Sequence, residues 1–556
     1  MPDAPHEILH DALVRAASAA AGAPVPRVEI TPPARPEHGD LATPVALGLA
    51  KVAKRPPRQI ADEVVAALRG DPAVAELVDG AEVAGPGFIN LRMSPAWYAR
   101  IVSGVVAAGA GHGRGGAQRP EAVLVEFVSV NPTGPPHVGH ARQAALGDSI
   151  ARILAFAGHR VTREYYVNDY GRQMELFGES VAARYAQLLG EDARVPEDGY
   201  RGDYVSDVAA ILHVEVGERY AGRAGRLDAD GRGFFARRGG ELMLDAIFAE
   251  LEAFRVHFDV VSHETPLHVS GDVERRLDEL TAAGHTYVDE GALWFRSSAF
   301  GDEKDRVLRR ANGVTTYLAA DVAYHLDKAE RMGDRMIDIL GADHHGYIGR
   351  LKAVLAASDH DPDRLEVLIV QLVSLLEDGE ARRMSKRAGT LVTLGELVRD
   401  IGVDAARFFL VERSSDTTMD LDIGLAREQS QENPVYYVQY AHARCCALQR
   451  KAAEAGVDVA ASVATPGDVG GDERALVARL AEWPAVAAEA AARRAPHRVV
   501  AYLKDLSREF HAFYHRSQVV DAPPAERAFR LGIVAATRAV IGTGLDLIAV
   551  EAPERM

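Results

Sequence analysis

The chain has 556 residues, 47% of them hydrophobic, which is length and apolar content for about three domains with real cores. A formal net charge of −17 excludes a protein that coats nucleic acid by bulk attraction, while local basic patches keep specific binding open. No uninterrupted apolar run approaches the ~18 residues of a membrane span. The only two cysteines, Cys445 and Cys446, are adjacent, which points to a reduced, cytoplasmic protein without thiolate-bound zinc.

The N-terminal stretch MPDAPHEILHDALVRAASAAAGAPVP reads as an amphipathic helix, without the basic and apolar regions of a signal peptide. Residues 1–110 read as a small α/β unit, with a second helix over Pro57–Arg69 and a strand at GFINLRM, which carries Asn90. The next stretch, GAGHGRGGAQRP, contains a formal GxGxxG at Gly111, Gly113 and Gly116. It follows a helical stretch and precedes a strand, the reverse of a dinucleotide fingerprint, so 111–120 reads as a linker.

From Glu121 strands and helices alternate, the pattern of an α/β protein with a parallel sheet. AVLVEFV, MIDIL (Met336–Leu340) and LEVLIVQLV (Leu365–Val373) are buried-type strands, and QAALGDSIARILAFAG is a helix stopped at Gly158. A charged, Gly-rich stretch over 196–240 breaks the alternation as an insertion. From Asn433 to the end, Ala, Leu and Arg recur at helical spacing, which suggests a separate bundle over 433–556. Three basic patches, Lys51–Arg58, Arg382–Arg387 and Arg493–Arg498, read equally as solvated faces or as phosphate contacts.

The chemistry concentrates in 121–432. EFVSVNPTGPPHVGHARQAALGD runs from a strand through a Pro/Gly-rich loop into a helix that opens at His137 and His140. A helix N-terminus at the carboxyl end of a strand is a natural phosphate site, and two imidazoles there can donate to phosphate oxygens. A metal reading lacks a third ligand and the Glu that would follow the first His; Val138 stands there. Gly139, without a Cβ, would let a flat base approach the backbone. Far along the chain, ARRMSKRAGTLVTL puts Lys386 and three arginines on a Gly-containing loop, suited to charge developing on a polyphosphate. Tyr317 and Asp321 are four apart and share a helix face, which suits a guanidinium as well as it suits an ordinary helix surface. GADHHGY follows the MIDIL strand, so Asp343 and His344 read as nucleotide-pocket residues in preference to metal ligands.

HVGH followed by RMSKR in this order resembles the two signature motifs of class I aminoacyl-tRNA synthetases, and within them the arginyl-tRNA synthetase family. SVNPTGPPHVGHARQAALGD is similar to that family's extended signature, and HGDLATPVALGLAK and GPGFINL to its N-terminal tRNA-contacting domain. TTYLAADVAYH resembles its arginine-binding helix, and GVDAARFFLV and NPVYYVQYAHAR the entry to its helical anticodon-binding domain. The resemblance implies a Rossmann-type catalytic domain over 121–432 between a tRNA-contacting domain and an anticodon-binding domain. It implies a monomer that joins L-arginine to its tRNA through arginyl-adenylate, using ATP with Mg²⁺ and no zinc. His137, His140 and Lys386 would act on the phosphates; Val138, Gly139, Asp343, His344, Met384 and Ser385 would line the ATP site. Asn131, Glu264, Tyr317 and Asp321 would hold arginine, and Asn90 and Arg444 would meet tRNA. Arg383 and Arg387 depart from the second motif, whose first residue is Lys and last Ser, and Arg does not reproduce the point-donor geometry of Lys.

Overall fold

The computed structural model describes residues 5–31, 33, 35–222, 229–332, 334–377, 380–381, 392–457 and 463–556. Met384, Ser385 and Lys386, with Arg383 and Arg387, lie outside the described residues.

Five parallel strands make the central sheet: β1 (Ala122–Phe127), β2 (Arg160–Val167), β3 (Val260–His263), β4 (Arg335–Gly341) and β5 (Leu365–Val370). Their spatial order is β3-β2-β1-β4-β5. The chain leaves β1 for β2 on one side and leaves β4 for β5 on the other. The carboxyl ends of β1 and β4 therefore flank a topological switch point, where open α/β sheets bind ligands. β1 is buried along its whole length, as its apolar run requires.

Helix α1 (Val138–Ala157) follows β1 and is stopped at Gly158, which takes a φ of 105°. It lies so close to the sheet that a Cβ on Gly147 would sit 2.3 Å from Cγ of Phe127, so only glycine fits there. Between β2 and β3 come α2 (Arg172–Leu188), α3 (Asp203–Val216) and α4 (Ala229–Ala253). The described part of the charged stretch 196–240 is thus mostly helical, in α3 and the start of α4. A Cβ on Gly178 of α2 would lie 2.6 Å from the Ala236 backbone of α4, which shows how closely these helices approach.

The run LEVLIVQLV is two strands, not one. β5 ends at Val370, and Val373–Glu377 joins another sheet, parallel to Met419–Asp422 and antiparallel to Glu380–Ala381. The break has a physical cause. Arg142 of α1 is fully buried and donates to the carbonyls of Gln371 (2.9 Å), Thr417 (2.8 Å) and Ser414 (2.8 Å). A buried cation needs acceptors for its terminal N–H groups, and these three bonds hold Gln371 to the Ser414–Thr417 segment, away from the main sheet.

In the N-terminal unit the helix Pro57–Arg69 packs on a three-stranded antiparallel sheet of Leu41–Thr43, Phe88–Met93 and Val78–Ala84, and the helix Pro5–Ala21 packs against that helix. On Phe88–Met93, Ile89, Leu91 and Met93 face inward, leaving Phe88, Asn90 and Arg92 on the other face. The glycine-rich segment lies against the C-terminal helices: Trp483 Nε1 donates to the His112 carbonyl (3.0 Å), and a Cβ on Gly113 would lie 3.1 Å from the Trp483 ring.

Between β3 and β4 come α5 (Glu264–Val269) and α6 (Tyr317–Arg331), and after the central sheet comes α7 (Leu394–Val411). The C-terminal bundle is α8 (Pro434–Glu454), α9 (Gly471–Ala492), α10 (His497–Arg516) and α11 (Pro524–Leu547). By length and composition α11 is apolar enough to cross a membrane, but 67% of its apolar window is buried within the fold. The bundle is tied to the sheet domain through Arg407 of α7, fully buried, which pairs with Asp148 of α1 (2.6 Å) and donates to the carbonyls of Ile548 and Phe254.

Candidate active site

The loop between β1 and α1 starts in an unusual backbone. Val128 and Ser129 take positive φ, 72° and 40°, a region that costs energy for non-glycine residues and most for a β-branched one. Neighbours over-determine it. The Ser129 hydroxyl donates to Glu126 (3.0 Å) and accepts the Tyr166 N–H (3.1 Å), while the Tyr165 hydroxyl donates to the Val130 carbonyl (2.7 Å).

At the loop's end His137 caps α1. Its Nδ1 accepts the Gly139 N–H (3.1 Å), and Nδ1 of His140 accepts the His137 N–H (3.2 Å). The two rings stack with centroids 3.7 Å apart. An imidazole that accepts at Nδ1 carries its proton on Nε2 when neutral, so the helix backbone fixes the tautomer of both rings. The space a Cβ on Gly139 would take lies 2.9 Å from the His137 ring, so this glycine makes room for the histidine. Val138 points into the core, 3% exposed, and only its backbone can face the crevice.

The segment Val392–Leu394 pairs with the end of this loop. The Val138 N–H donates to the Val392 carbonyl (3.0 Å) and the Leu394 N–H to the Pro136 carbonyl (2.8 Å), so His137 and Thr393 pair as an antiparallel bridge. Thr393 is also the N-cap of α7, in a reciprocal capping box with Glu396. The residues just after the basic loop are therefore clamped beside the histidines. Across the switch point, Asp343 and His344 follow β4 in a short 3-10 turn; the Asp343 side chain is exposed, and a Cβ on Gly341 would meet both it and Gln143 of α1.

A second group forms where α5 and α6 cover the sheet. Tyr317 opens α6 and is exposed, and Asp321 is half-buried one turn later. Burial pushes the Asp321 carboxyl up to about 6; nearby Glu264, Glu126 and Asp338 add to the rise, and His325 opposes it. Glu264 is 5% exposed, accepts from the Tyr166 hydroxyl (3.0 Å) and lies 3.2 Å from His268. Burial raises its carboxyl as well, against those two hydrogen bonds. Asn131, on the β1–α1 loop, donates to Gln173 of α2 (2.6 Å). The fold thus sets Glu264 and Asp321 within each other's field, with Tyr166 between Glu264 and the loop that carries Asn131.

Beneath this acidic floor lies an ionic frame that sequence reasoning did not single out. Lys328 of α6, fully buried, contacts Glu126 of β1 (2.5 Å) and Asp338 of β4 (2.7 Å). His325 bridges Asp338 (2.9 Å) and the Asp321 carbonyl (2.9 Å), and the Tyr324 hydroxyl reaches Glu126 (2.9 Å) and Glu164 (3.2 Å). Burial disfavours charge on both Lys328 and Asp338, but their mutual attraction outweighs it, raising the lysine and holding the aspartate low. The signal was present in the sequence: charged residues inside the buried runs AVLVEF and MIDIL, and Asp321, His325 and Lys328 at helical spacing.

The remaining expected contacts lie away from this centre. Asn90 is half-buried on the N-terminal sheet. Arg444 of α8 lies between the rings of Tyr440 (4.3 Å) and Tyr514 (4.5 Å), with His511 3.1 Å from its guanidinium. In the patch Arg493–Arg498 all three arginines pair with carboxylates, Arg493 and Arg498 with Glu489 and Arg494 with Glu366. In Lys51–Arg58, Arg55 pairs with Glu63.

Comparison with known proteins gives one answer along the whole chain. Residues 110–430 match the family described as tRNA synthetases class I (R), catalytic domain. Residues 6–93 match the arginyl tRNA synthetase N terminal domain, and 438–556 the DALR anticodon binding domain. The arginine–tRNA ligase of Anoxybacillus flavithermus is 44% identical over 552 residues, 99% of this chain and 98% of its own length. That of Bacillus subtilis is 43% identical over 533 residues, 96% of this chain and 95% of its own length. Among solved structures, Thermus thermophilus arginyl-tRNA synthetase superposes with a TM-score of 0.76 at 26% identity, covering 99% of this chain and 100% of its own.

Proposed function

This chain belongs to the arginyl-tRNA synthetase family, and we propose that its switch-point crevice is where arginine is activated, with the residues of the two signature regions in the roles that follow. The enzyme joins arginine to tRNA with ATP, through an arginyl-adenylate, for protein synthesis.

The arginine carboxylate attacks the α-phosphate of ATP in line, and pyrophosphate leaves. Such a transfer needs positioning and charge stabilisation more than covalent help. His137 and His140, tautomers fixed, donate from Nε2 to phosphate oxygens as charge builds. Lys386 neutralises the departing pyrophosphate. The backbone of Val138 and Gly139, with Met384, Ser385, Asp343 and His344, surrounds the nucleotide. Asp321 takes the guanidinium as a bidentate carboxylate against the face of Tyr317, and Glu264 and Asn131 hold the α-ammonium. The arginyl group then passes to the terminal adenosine of the tRNA. Mg²⁺ would accompany ATP as part of the substrate and help to neutralise its phosphates, with no dedicated protein cage and no zinc required. The division is 1–110 for tRNA contact, 111–120 as linker, 121–432 for catalysis with an insertion near 196–240, and 433–556 for the anticodon. Asn90 and Arg444 are tRNA contacts, the latter presenting to a tRNA phosphate a guanidinium held between two tyrosine rings. The enzyme works as a cytoplasmic monomer, off the membrane.

The observation that carries this reading is the hydrogen-bonded strand-like pairing of Pro136–Val138 with Val392–Leu394 at the switch point. The test is ATP–pyrophosphate exchange with tRNA present. Exchange that depends on arginine and collapses in His137→Asn supports the assignment; full exchange in that variant refutes it.

A further inference from the structure

The stretch 196–240 reaches the loop between β1 and α1 through a tyrosine. The Tyr204 hydroxyl, in the first turn of α3, donates to the Thr133 carbonyl (3.0 Å). A Cβ on the next residue, Gly134, would lie 3.1 Å from that hydroxyl, so the ring rests directly on the loop backbone. The ring's own position is prepared: a Cβ on Gly202, the residue capping α3, would lie 2.4 Å from it. α3 is itself fixed, with Val205, Val208, Ala209 and Leu212 buried and the Tyr200 N–H bonded to Ser180 of α2.

We propose that Tyr204 is a positioning residue for amino-acid activation, through which α3 holds the loop Asn131–His137 in its reactive geometry. The proposal rests on the reading of that loop as the reaction loop. The chain enters this loop through two non-glycine residues of positive φ, Val128 and Ser129, and such a backbone persists only when its surroundings over-determine it. Tyr165 ties it at Val130, Gln173 at Asn131 and Tyr204 at Thr133. The first two come from β2 and the start of α2. Tyr204 is the tie supplied by the insertion, and it lies between the residue that meets the α-ammonium and the histidine that meets phosphate. Burial raises its phenol to about 12, so it stays a donor across the working pH range.

The test is a double-mutant cycle of Tyr204→Phe and Gly134→Ala in the full-length enzyme, read by arginine-dependent ATP–pyrophosphate exchange with saturating tRNA. Tyr204→Phe removes one hydrogen bond and no volume, and should lower exchange turnover about 3–10-fold with the KM for tRNA unchanged. Gly134→Ala crowds the hydroxyl, and the double variant should be no slower than the slower single one. A Tyr204→Phe enzyme with full turnover overturns the proposal, whether or not its Tm falls. So do effects that multiply independently. His137→Asn is the control: if it keeps full exchange, the loop itself is misread and the proposal falls with it. If it collapses while Tyr204→Phe does not change, the proposal alone falls.

Discussion

The Val138 N–H donates to the Val392 carbonyl across 3.0 Å. Through that bond and the one from the Leu394 N–H to the Pro136 carbonyl, the loop entering α1 and the segment entering α7 become one short antiparallel ribbon, which pairs His137 with Thr393.

If Asp321 holds the guanidinium as proposed, it sets the choice of side chain. Citrulline has nearly the shape of arginine, but its urea would turn a carbonyl oxygen toward a carboxylate. Sites built on such pairing reject analogues by about 10⁴–10⁵, because a buried partner is left unsatisfied. Asp321→Asn is expected to weaken arginine use strongly and to narrow the arginine/citrulline ratio of kcat/KM. Steady-state kinetics with both amino acids check this, and an unchanged ratio would move the pocket elsewhere.

The same carboxyl gives a pH signature. Its pKa is raised to about 6, chiefly by burial, so it is ionised above that pH and protonated below it. Only the ionised form pairs with a guanidinium. The kcat/KM for arginine should therefore fall as pH drops through about 6, approaching tenfold per unit. Asp321→Asn should lose that limb. A wild-type profile flat from pH 5 to 7.5 would show that Asp321 does not meet the substrate.

The frame under the site should be costly to break. Lys328→Met leaves Glu126 and Asp338 buried without their shared cation, and removing one partner of such a set costs about 3–5 kcal/mol. Urea unfolding at neutral pH reads the loss directly, and a variant as stable as wild type would refute the account of the frame.

Arg444, proposed as a contact to a tRNA phosphate, should separate tRNA binding from activation. Its guanidinium is held between the rings of Tyr440 and Tyr514, and Arg444→Ala removes that cation, a hydrogen bond to a charged group being worth about 1.5–3 kcal/mol. The KM for tRNA is expected to rise about tenfold or more, with the KM for arginine unchanged. An unchanged KM for tRNA would place the anticodon elsewhere.

Much of this was legible in the sequence because it is local. Strand AVLVEF, the helix opening at His137 and the stop at Gly158 follow from period and capping, and the order of HVGH and RMSKR pointed to the family. Long-range satisfaction was not legible. Nothing near Gln371 shows that Arg142 would claim its carbonyl and split LEVLIVQLV into two strands. Nothing in Gly139 alone shows that its missing Cβ serves the His137 ring. The insertion read as a charged break because its glycines and charges mask the helical spacing of the apolar positions it buries, Val205, Val208, Ala209 and Leu212, and its contact with Thr133 is a single hydroxyl.

The most direct test of the central claim is single-turnover formation of arginyl-adenylate by Lys386→Ala, with saturating tRNA, ATP and arginine. Removing one preorganised charge from a developing phosphate charge costs about 10²–10³ in rate. The expected result is a fall of that size with arginine affinity unchanged. Adenylate formation at the wild-type rate would contradict the assignment of the two signature regions to one reaction centre.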